Sequence, residues 1–253
     1  MLHWVRTAED GSFSRPNKGL VASCNEGIAE ARGVYVFRMD QDDVAHPDRF
    51  ARQVSFLENH LDCVAVGTRV MLADDSMMPI IESSKQLMHA DIDAANMEGH
   101  GSAICHPTAA IRREALLAVG GYRKEFEWAE DLDLFLRLAE VGRLANLPDV
   151  LLTYRQHMNS VGYSMRALQR SRIASAVSAA EQRRGLSRPG STANLDTSDA
   201  DRGDLAVKSD YAGAGDIYRK WAWLALIGGT RRRLASTHSW PCEQTPGASK
   251  IRD

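Results

Sequence analysis

The sequence lacks three features that would each point to a particular class of protein. Its four cysteines are scattered and form no CxxC pair, which argues against a zinc site or a disulfide framework and suits a reducing compartment. No apolar segment approaches the roughly 20 residues that a membrane-spanning helix needs. The charge is nearly balanced, with 31 basic and 33 acidic residues, so no nucleic-acid partner is expected.

The residues that are present fit a globular protein with a sizeable core. The chain has 253 residues, of which 44% are hydrophobic and 25% are charged, and these proportions are ordinary for a single folded unit. We expect one large domain, or one domain with an appendage. Because no secretory signal is visible, the expected location is cytoplasmic, with peripheral contact at the inner face of the membrane left open.

Three carboxylates stand within four positions directly after a short apolar run. The run, 34–37, is rich in β-branched and aromatic residues and predicts a buried strand, which leads into Asp40, Asp42 and Asp43. Carboxylates this close repel one another unless a cation or hydrogen-bond donors lie among them. The cluster therefore predicts a site for a hard metal ion, although acids that cap a strand-to-helix turn are an alternative.

Helices and further strands are predicted around this cluster. Helical spacing indicates helices at 17–32, 47–61, 113–119, 127–141 and 165–184, and apolar runs indicate strands at 63–70 and 150–154. Asn17 is placed to cap the first helix. The second helix is expected to bury an apolar stripe formed by Phe50, Val54, Leu57 and Leu61. Strands that alternate with helices in this way are typical of an α/β fold.

The last third of the sequence changes in character. The segment 185–215 carries many Gly, Ser, Asp and Thr residues but few large apolar ones, which favours a flexible linker. A helix is predicted again from 216 to 234, and the remaining tail is expected to be disordered. The apolar and then basic segment 221–233 is either an interfacial helix or a helix that packs against the main domain.

Several segments resemble, in the same order, the motifs of the family 2 glycosyltransferases. They are Asn17-Lys18-Gly19-Leu20, Asn25-Glu26-Gly27-Ile28, Asp40-Gln41-Asp42-Asp43 with His46-Pro47-Asp48-Arg49, Gly120-Gly121-Tyr122, Glu130-Asp131-Leu132-Asp133-Leu134 and Tyr154-Arg155-Gln156-His157. Each segment is short, and it is their order and spacing that make the resemblance specific. The resemblance covers somewhat over half of the chain.

The resemblance implies the GT-A fold, a Rossmann-like α/β arrangement in which helices flank a mixed sheet. It divides the chain into an N-terminal remnant at 1–16, a partial catalytic domain at 17–160, a helical extension at 161–184, the linker at 185–215, and a C-terminal helix and tail at 216–253. Part of the nucleotide-binding unit is expected to be missing, because a βαβ unit needs about 30 residues or more. Either the true start lies upstream, or this is a degenerate copy.

The activity that the resemblance implies is transfer of a sugar from a nucleoside-diphosphate sugar to a hydroxyl acceptor. The acceptor would be a glycan or a lipid-linked molecule, in cell-surface polysaccharide or glycan biosynthesis. The implied cofactor is Mg²⁺ or Mn²⁺, and its ligands would be Asp42, Asp40, Asp43 and His157. The residues implied to bind the nucleotide sugar are Asp40, Asp42, Arg155 and Asn17.

An inverting transfer of this kind needs one general base to take the proton of the acceptor hydroxyl. The resemblance implies Asp131 for this role, beside Glu130 at the amino end of a predicted helix. Ordinary compensation of the helix dipole is the alternative explanation for both acids. For His157 the alternative is a histidine with no ligand role, and for Arg155 it is a surface ion pair.

Two other functions remain open from the sequence. The first is a non-catalytic remnant that keeps the glycosyltransferase fold but does not bind a donor productively. The second is a phosphatase similar to the haloacid dehalogenases, because Asp40-Gln41-Asp42-Asp43-Val44 after an apolar strand also fits that family's nucleophile motif.

Overall fold

The computed structural model describes residues 4–5, 12–13, 17–83, 86–101, 103–156 and 166–186. The strands in these ranges are β1 (Trp4–Val5), β2 (Ser12–Phe13), β3 (Tyr35–Phe37), β4 (Val44–Ala45), β5 (Cys63–Ala73), β6 (Pro79–Ser83), β7 (Ala110–Arg112) and β8 (Arg143–Arg155). The helices are α1 (Leu20–Glu30), α2 (Arg49–Asn59), α3 (His89–Met97), α4 (Arg113–Ala118), α5 (Glu130–Leu138) and α6 (Arg166–Arg183).

Six of the strands form one mixed sheet, in the order β3-β7-β5-β8-β4, with β6 paired to the far end of β5. β5 and β8 run parallel, from Cys63 beside Arg143 to Ala73 beside Arg155. The other pairs in this sheet are antiparallel. β1 and β2 form a separate antiparallel pair. The long β5–β8 pair is thus the centre of the sheet, and it brings Arg155 to the edge at which β4 begins.

Helices cover both faces of this sheet, as the predicted α/β class requires. One apolar cluster joins α1, α3, α4 and α5 to residues of β5, β7 and β8, including Ala65, Ile111 and Leu144. A second cluster joins Leu57 of α2 to the opposite face, including Val66 and Ala110. Adjacent residues of one strand therefore belong to different clusters, which is the alternation expected of a pleated strand. The prediction of a mixed sheet flanked by helices is confirmed.

The structure corrects two predictions about the first two helices. α1 begins at Leu20 with Gly19 as its N-cap, so Asn17 does not cap it. The buried face of α2 is Arg49, Gln53 and Leu57, so of the apolar stripe predicted for this helix only Leu57 is correct. Phe50 of that stripe is 48% exposed and Leu61 is 79% exposed. The reason is that Arg49 and Gln53 reach buried backbone groups, which compensates for their polarity.

The predicted strand before the acids is also less buried than expected. β3 lies at one end of the described sheet and pairs with β7 alone, so all three of its residues are only partly buried. A strand with a neighbour on one side keeps more of its surface accessible than a central strand does. The strand predicted at 150–154 is in turn the end of the longer β8.

The helix predicted at 165–184 is present as α6. It packs on α5 through Ile173, Ala176 and Ala180, which form a cluster with Leu132 and Leu136. The predicted linker and C-terminal helix lie outside the described residues, as does the segment 221–233. None of the helices that the structure describes is long and apolar enough to cross a membrane.

Candidate functional site

The three predicted acids lie in the turn that joins β3 to β4, which we call the acid turn (Asp40–Asp43). The backbone N–H of Asp43 donates to the carbonyl of Asp40 at 3.4 Å. Asp43 is turned into the protein, where its Oδ1 accepts the backbone N–H of Arg155 at 2.9 Å. The acid turn is therefore attached directly to the end of β8.

The side chain of Arg155 reinforces this attachment. Its Nε donates to the carbonyl of Asp42 at 3.1 Å, and its Nη1 donates to the carbonyl of Asp75 at 2.7 Å. The guanidinium thus joins the acid turn to the loop between β5 and β6. The structure thus places Arg155 beside the acids, and its role in binding phosphate stays a prediction.

Asp43 is the most buried member of the acid turn, at 7% exposure. Its Oδ2 is buried and has no hydrogen-bond partner among the described residues. Burial raises the pKa of Asp43 to about 7, the negative charges of Asp40 and Asp42 add to this effect, and the N–H of Arg155 opposes it. Near neutral pH the carboxyl is therefore divided between its protonated and ionised forms.

Arg38 is the cation of the acid turn. Its Nη2 lies 2.6 Å from Asp40 Oδ1, and its Nη1 donates to the carbonyl of Met39. Its own backbone is fixed on both sides, because its N–H donates to Ala109 in the neighbouring chain segment and its carbonyl accepts Nη2 of Arg49 at 2.7 Å. The guanidinium is therefore placed beside Asp40 by three separate parts of the fold.

Polar residues on the buried face of α2 hold the backbone of Arg38 in this position. Arg49 is completely buried, and its Nε donates to Gln53 Oε1 at 3.1 Å. Gln53 in turn donates to the carbonyls of Val66 and Thr108, each at 2.8 Å. A buried chain of hydrogen bonds thus runs from the centre of the sheet to the backbone of Arg38.

The second pair of predicted acids, Glu130 and Asp131, begins α5. Glu130 is 8% exposed, and its Oε2 accepts the backbone N–H of Trp128 at 2.8 Å. Trp128 has a φ of 81°, in the left-handed region that bulky residues rarely adopt. This hydrogen bond fixes the turn before the helix. Asp131 Oδ1 accepts the backbone N–H of Leu132 at 2.8 Å, which fixes the carboxylate.

Both acids of α5 are harder to ionise than ordinary carboxyl groups. Burial and the neighbouring Glu130 charge raise the pKa of Asp131 to about 7. Burial is also the main cause that raises the pKa of Glu130. A carboxyl whose pKa lies near neutrality is suited to accept a proton at physiological pH.

The two groups of acids lie in one electrostatic environment. The positive charge of Arg38 lowers the pKa of Asp43 in the acid turn and also that of Glu130 and Asp131 at α5. The pKa of the Cys105 thiol also depends on both groups of acids. Burial is the main cause that raises this pKa, and the charges of Asp43, Asp40 and Asp131 raise it further. Coulomb interactions weaken with distance, so Arg38 and Cys105 are electrostatically coupled both to the acid turn and to the α5 acids.

A buried ionic network holds α5 in this position. Asp133 is fully buried, and its carboxylate binds the guanidinium groups of Arg123 and Arg137. Arg137 also donates to the carbonyls of Val119 and Gly121. The loop that follows α4 is thereby joined to the helix that begins with the predicted base.

The same loop carries Tyr122, which lies against His106. The Tyr122 hydroxyl and His106 Nε2 are 2.7 Å apart. Burial and the charge of Arg38 lower the pKa of His106 well below its ordinary value, so the imidazole is neutral at physiological pH. A neutral imidazole and a phenol form one hydrogen bond here.

The structure places the remaining predicted residues as follows. Asn17 is exposed, and its Oδ1 accepts the N–H of Gly19 at 2.9 Å. His157 lies outside the described residues. Within the described ranges, no group of three or more His, Cys, Asp or Glu side chains is arranged to hold a metal ion by itself. The acid turn, Arg155 and the α5 acids are brought together, and their functional roles stay predictions.

Sequence reasoning missed Arg38, Arg49 and Asp133. Arg38 follows an apolar strand and stands two positions before Asp40. A single basic residue this close to the acids was the sequence signal that could have indicated their counter-ion. The pair Asp133 and Arg137 has the i, i+4 spacing of a helical ion pair. No sequence signal distinguishes the buried Arg49 from an exposed arginine of an amphipathic helix.

Residues 13–120 match the profile of the family described as Glycosyl transferase family 2. The predicted resemblance is confirmed. The match favours a glycosyltransferase over the phosphatase that the acid motif alone left open.

Individual relatives agree with the family. The chain is 33% identical over 146 residues to EpsE of Bacillus subtilis, covering 56% of this chain and 51% of EpsE. It is 31% identical over 140 residues to the amylovoran biosynthesis glycosyltransferase AmsE of Erwinia amylovora, covering 55% and 51% of the two chains. The O-antigen biosynthesis glycosyltransferase WbnJ of Escherichia coli is 29% identical over 161 residues, covering 62% and 58%. The chain thus spans about half the length of these relatives.

Solved structures with some likeness include S. aureus TarS in complex with UDP-GlcNAc, with a TM-score of 0.46 and 15% identity over 61% of this chain and 45% of TarS. The mannosyltransferase PcManGT from Pyrobaculum calidifontis, in complex with GDP-Man and Mn²⁺, has a TM-score of 0.43 and 16% identity. That alignment covers 90% of this chain and 68% of PcManGT.

Proposed function

We propose that this chain contains the catalytic part of a metal-dependent, inverting glycosyltransferase. It would transfer a sugar from a nucleoside-diphosphate sugar to a hydroxyl group of a glycan or lipid-linked acceptor, in polysaccharide biosynthesis. Relatives named for amylovoran and O-antigen biosynthesis support this setting. The observation that carries the proposal is the shared environment of the acid turn and Asp131, in which the pKa of Asp131 is about 7.

In the proposed reaction Asp131 is the general base. The acceptor oxygen forms a bond to the anomeric carbon while the bond from that carbon to the diphosphate oxygen breaks, and the leaving diphosphate takes the bonding electrons. The proton of the acceptor hydroxyl passes to Asp131 Oδ2, since Oδ1 is already engaged by the N–H of Leu132. Attack from the side opposite the diphosphate inverts the configuration at the anomeric carbon.

Glu130 has a supporting role in this proposal. Its own carboxylate is occupied by the N–H of Trp128, and its charge keeps the pKa of Asp131 high. A base with a pKa near the working pH combines a large ionised fraction with a useful affinity for the proton. In this proposal Asp131 accepts the proton, and the charge of Glu130 adjusts the pKa of Asp131.

The residues of the acid turn fit a Mg²⁺ or Mn²⁺ ion that is shared with the donor. Such ions are commonly held by one or two carboxylates, with waters and substrate phosphates completing the shell, so a separate three-residue protein site is not required. We assign Asp42 as the main ligand, with Asp40, Asp43 and His157 as further candidates. The buried Asp43 Oδ2 without a described partner supports this fit. When bound, the ion would offset the charge that develops on the leaving diphosphate.

Binding of the nucleotide sugar is assigned to Asp40, Asp42, Arg155 and Asn17. Arg155 already joins the acid turn, at the carbonyl of Asp42, to the carbonyl of Asp75, so its first contribution is to keep the carboxylates in place. Contact with the inner face of a membrane is a further proposal, made for the case of a lipid-linked acceptor.

Calorimetric titration with UDP-sugars and GDP-sugars in the presence of Mn²⁺ tests the proposal. We expect one of them to bind the whole chain, and we expect D42N to weaken that binding at least tenfold. The matched control is D149N, which removes an exposed carboxylate paired with Arg52 and should leave donor binding unchanged. Failure of every nucleotide sugar to bind would instead identify the chain as a non-catalytic remnant.

The stereochemical part of the proposal has its own measurement. Proton NMR of the product formed early in the reaction distinguishes the two anomers of the transferred sugar. A product with the anomeric configuration of the donor would contradict the inverting mechanism and the role of Asp131 as the base.

A further inference from the structure

Arg38 is a built-in counter-ion of the acid turn. Its Nη2 is 2.6 Å from Asp40 Oδ1, and the side chain is 12% exposed, compared with 32% for Asp40. The carboxylate is therefore closer to solvent than the cation that binds it. Any ligand that reaches Asp40 therefore also meets the positive charge of Arg38.

The guanidinium cannot easily move away from this position. The backbone of Arg38 is held by Ala109 and by the buried Arg49, and its Nη1 is engaged by the carbonyl of Met39. Its Nε is buried and has no partner among the described residues. A side chain anchored in this way acts as a fixed charge.

This fixed charge opposes the binding of a bare divalent ion. One of the three carboxylates, Asp40, is already neutralised by Arg38. In the described residues, moreover, no three side chains converge as metal ligands. A unit positive charge within several ångströms of a divalent ion weakens its binding by about tenfold or more, even with the screening of water. The acid turn alone is therefore a poor metal site.

The same charge favours a diphosphate. A guanidinium presents several N–H donors in a planar fork that matches phosphate oxygens, and it is always ionised. A diphosphate also brings oxygen ligands that complete the coordination of a divalent ion. The repulsion that Arg38 exerts on the ion is thus compensated only when the anion is present.

We propose, on the basis of the function proposed above, that Arg38 determines how the site is loaded, by binding the donor diphosphate and by repelling a divalent ion that arrives without it. Arg38 would then contact the donor as a binding residue, with opposite effects on the two ligands. A residue that only maintained the fold would strengthen the binding of both ligands.

The test measures the two ligands separately. Binding of Mn²⁺ alone is followed by the electron paramagnetic resonance signal of free Mn²⁺. Binding of UDP and of GDP is followed by calorimetry in EDTA and again at saturating Mn²⁺. For R38Q we expect Mn²⁺ alone to bind about tenfold more tightly and the preferred nucleotide in EDTA to bind about tenfold more weakly.

Two further variants make the result specific. R38K keeps the charge and should stay close to the wild type in Mn²⁺ binding. R52Q removes an exposed arginine of α2 that pairs with Asp149 at 2.7 Å, and it should change neither ligand. Suppose that the wild type binds a nucleotide. If R38Q then weakens the binding of both ligands, or changes the binding of neither, the inference about Arg38 is wrong and the proposed function stands. If the wild type binds no nucleotide, both are wrong.

Discussion

Asn25 and Tyr122 exchange two hydrogen bonds, although they are 97 positions apart in the sequence. The Asn25 Nδ2 donates to the carbonyl of Tyr122, and the N–H of Tyr122 donates to Asn25 Oδ1, each at 2.8 Å. A side-chain amide can match a backbone N–H and carbonyl in this way without any change in charge. Helix α1 therefore holds the loop that carries Tyr122.

Replacement of Asn25 by alanine should destabilise the protein by about 1–3 kcal/mol, because the backbone N–H and carbonyl of Tyr122 lose their partners. Denaturant unfolding of the whole chain measures this. The control is N59A, whose amide donates to Ser55 at an exposed site in its own helix; the expected loss is about 0.5 kcal/mol or less. Equal losses for the two variants would contradict the role of Asn25.

Gly67 lies where β5 passes close to β8, and alanine should not fit there. A Cβ at this position would be 2.2 Å from Asn146 Oδ1 and 2.8 Å from Ile104 Cγ2. We expect G67A to lose about 1–3 kcal/mol of stability through overpacking, measured as a lower unfolding midpoint. G101A is the control, because among the described residues a Cβ at Gly101 would have only Leu132 Cβ, at 3.9 Å, within 4 Å. A G67A protein as stable as G101A would show that the strands separate easily.

The buried carboxylate of Asp133 offsets the positive charge of two guanidinium groups. Its removal as D133N leaves Arg123 and Arg137 without their carboxylate, and the expected loss is about 3–5 kcal/mol. Because Arg137 also holds Gly121, the loop after α4 should become accessible to proteases at the same time. D149N breaks an exposed ion pair with Arg52 and should cost about 1 kcal/mol or less. A small effect of D133N would mean that the network is not required for the position of α5.

Asp131 should make stability fall as the pH rises. Its pKa is raised from 3.8 to about 7 in the folded protein, so the protonated form is favoured by folding. The stability linked to this proton is fully present below the unfolded pKa, near pH 4, and is lost as the pH rises through about 7. D131N, which stays neutral, should therefore gain stability over the wild type at pH 8 but not at pH 4. Thermal midpoints at the two pH values decide this, and a pH-independent difference would contradict it.

Ionisation of Asp131 should raise the reaction rate, so the rate should increase with pH over the range in which stability falls. The base must be ionised to accept a proton, so kcat/KM should rise with pH and level off above about 7, with an apparent value that belongs to the pair Asp131 and Glu130. D131N should lower kcat by about 10²–10⁴-fold while donor binding persists. A variant that keeps its rate, or a profile without an acidic limb, would exclude Asp131 as the base.

The sequence was sufficient for the fold class and for several elements. Helical spacing and an end signal placed the helix at 113–119, and the structure has α4 at Arg113–Ala118. It failed for the buried face of α2. The residues that Arg49 and Gln53 bind lie far away in the chain, at Val66 and Thr108 among others. A periodic pattern reports hydrophobicity along one segment and contains no information about such distant partners.

The candidate site shows the same limit. A cluster of acids after an apolar strand is visible in the sequence, and its position in the β3–β4 turn follows from it. The environment of each acid is not visible. Asp43 is buried while Asp42 is partly exposed, because the backbone of Arg155 draws only Asp43 inward. Contacts that join residues more than a hundred positions apart determine which carboxylates face the site.

The hydrogen bond from Arg155 to Asp43 also has a consequence for how the molecule is made. Asp43 leaves the ribosome long before residue 155, so a nascent chain that ends earlier has no partner for this carboxylate. Pairing between such distant segments closes a long loop and is slow compared with helix formation. The acid turn is thus among the last regions to mature, and a fragment cut before β8 is complete would retain the acids without their arrangement.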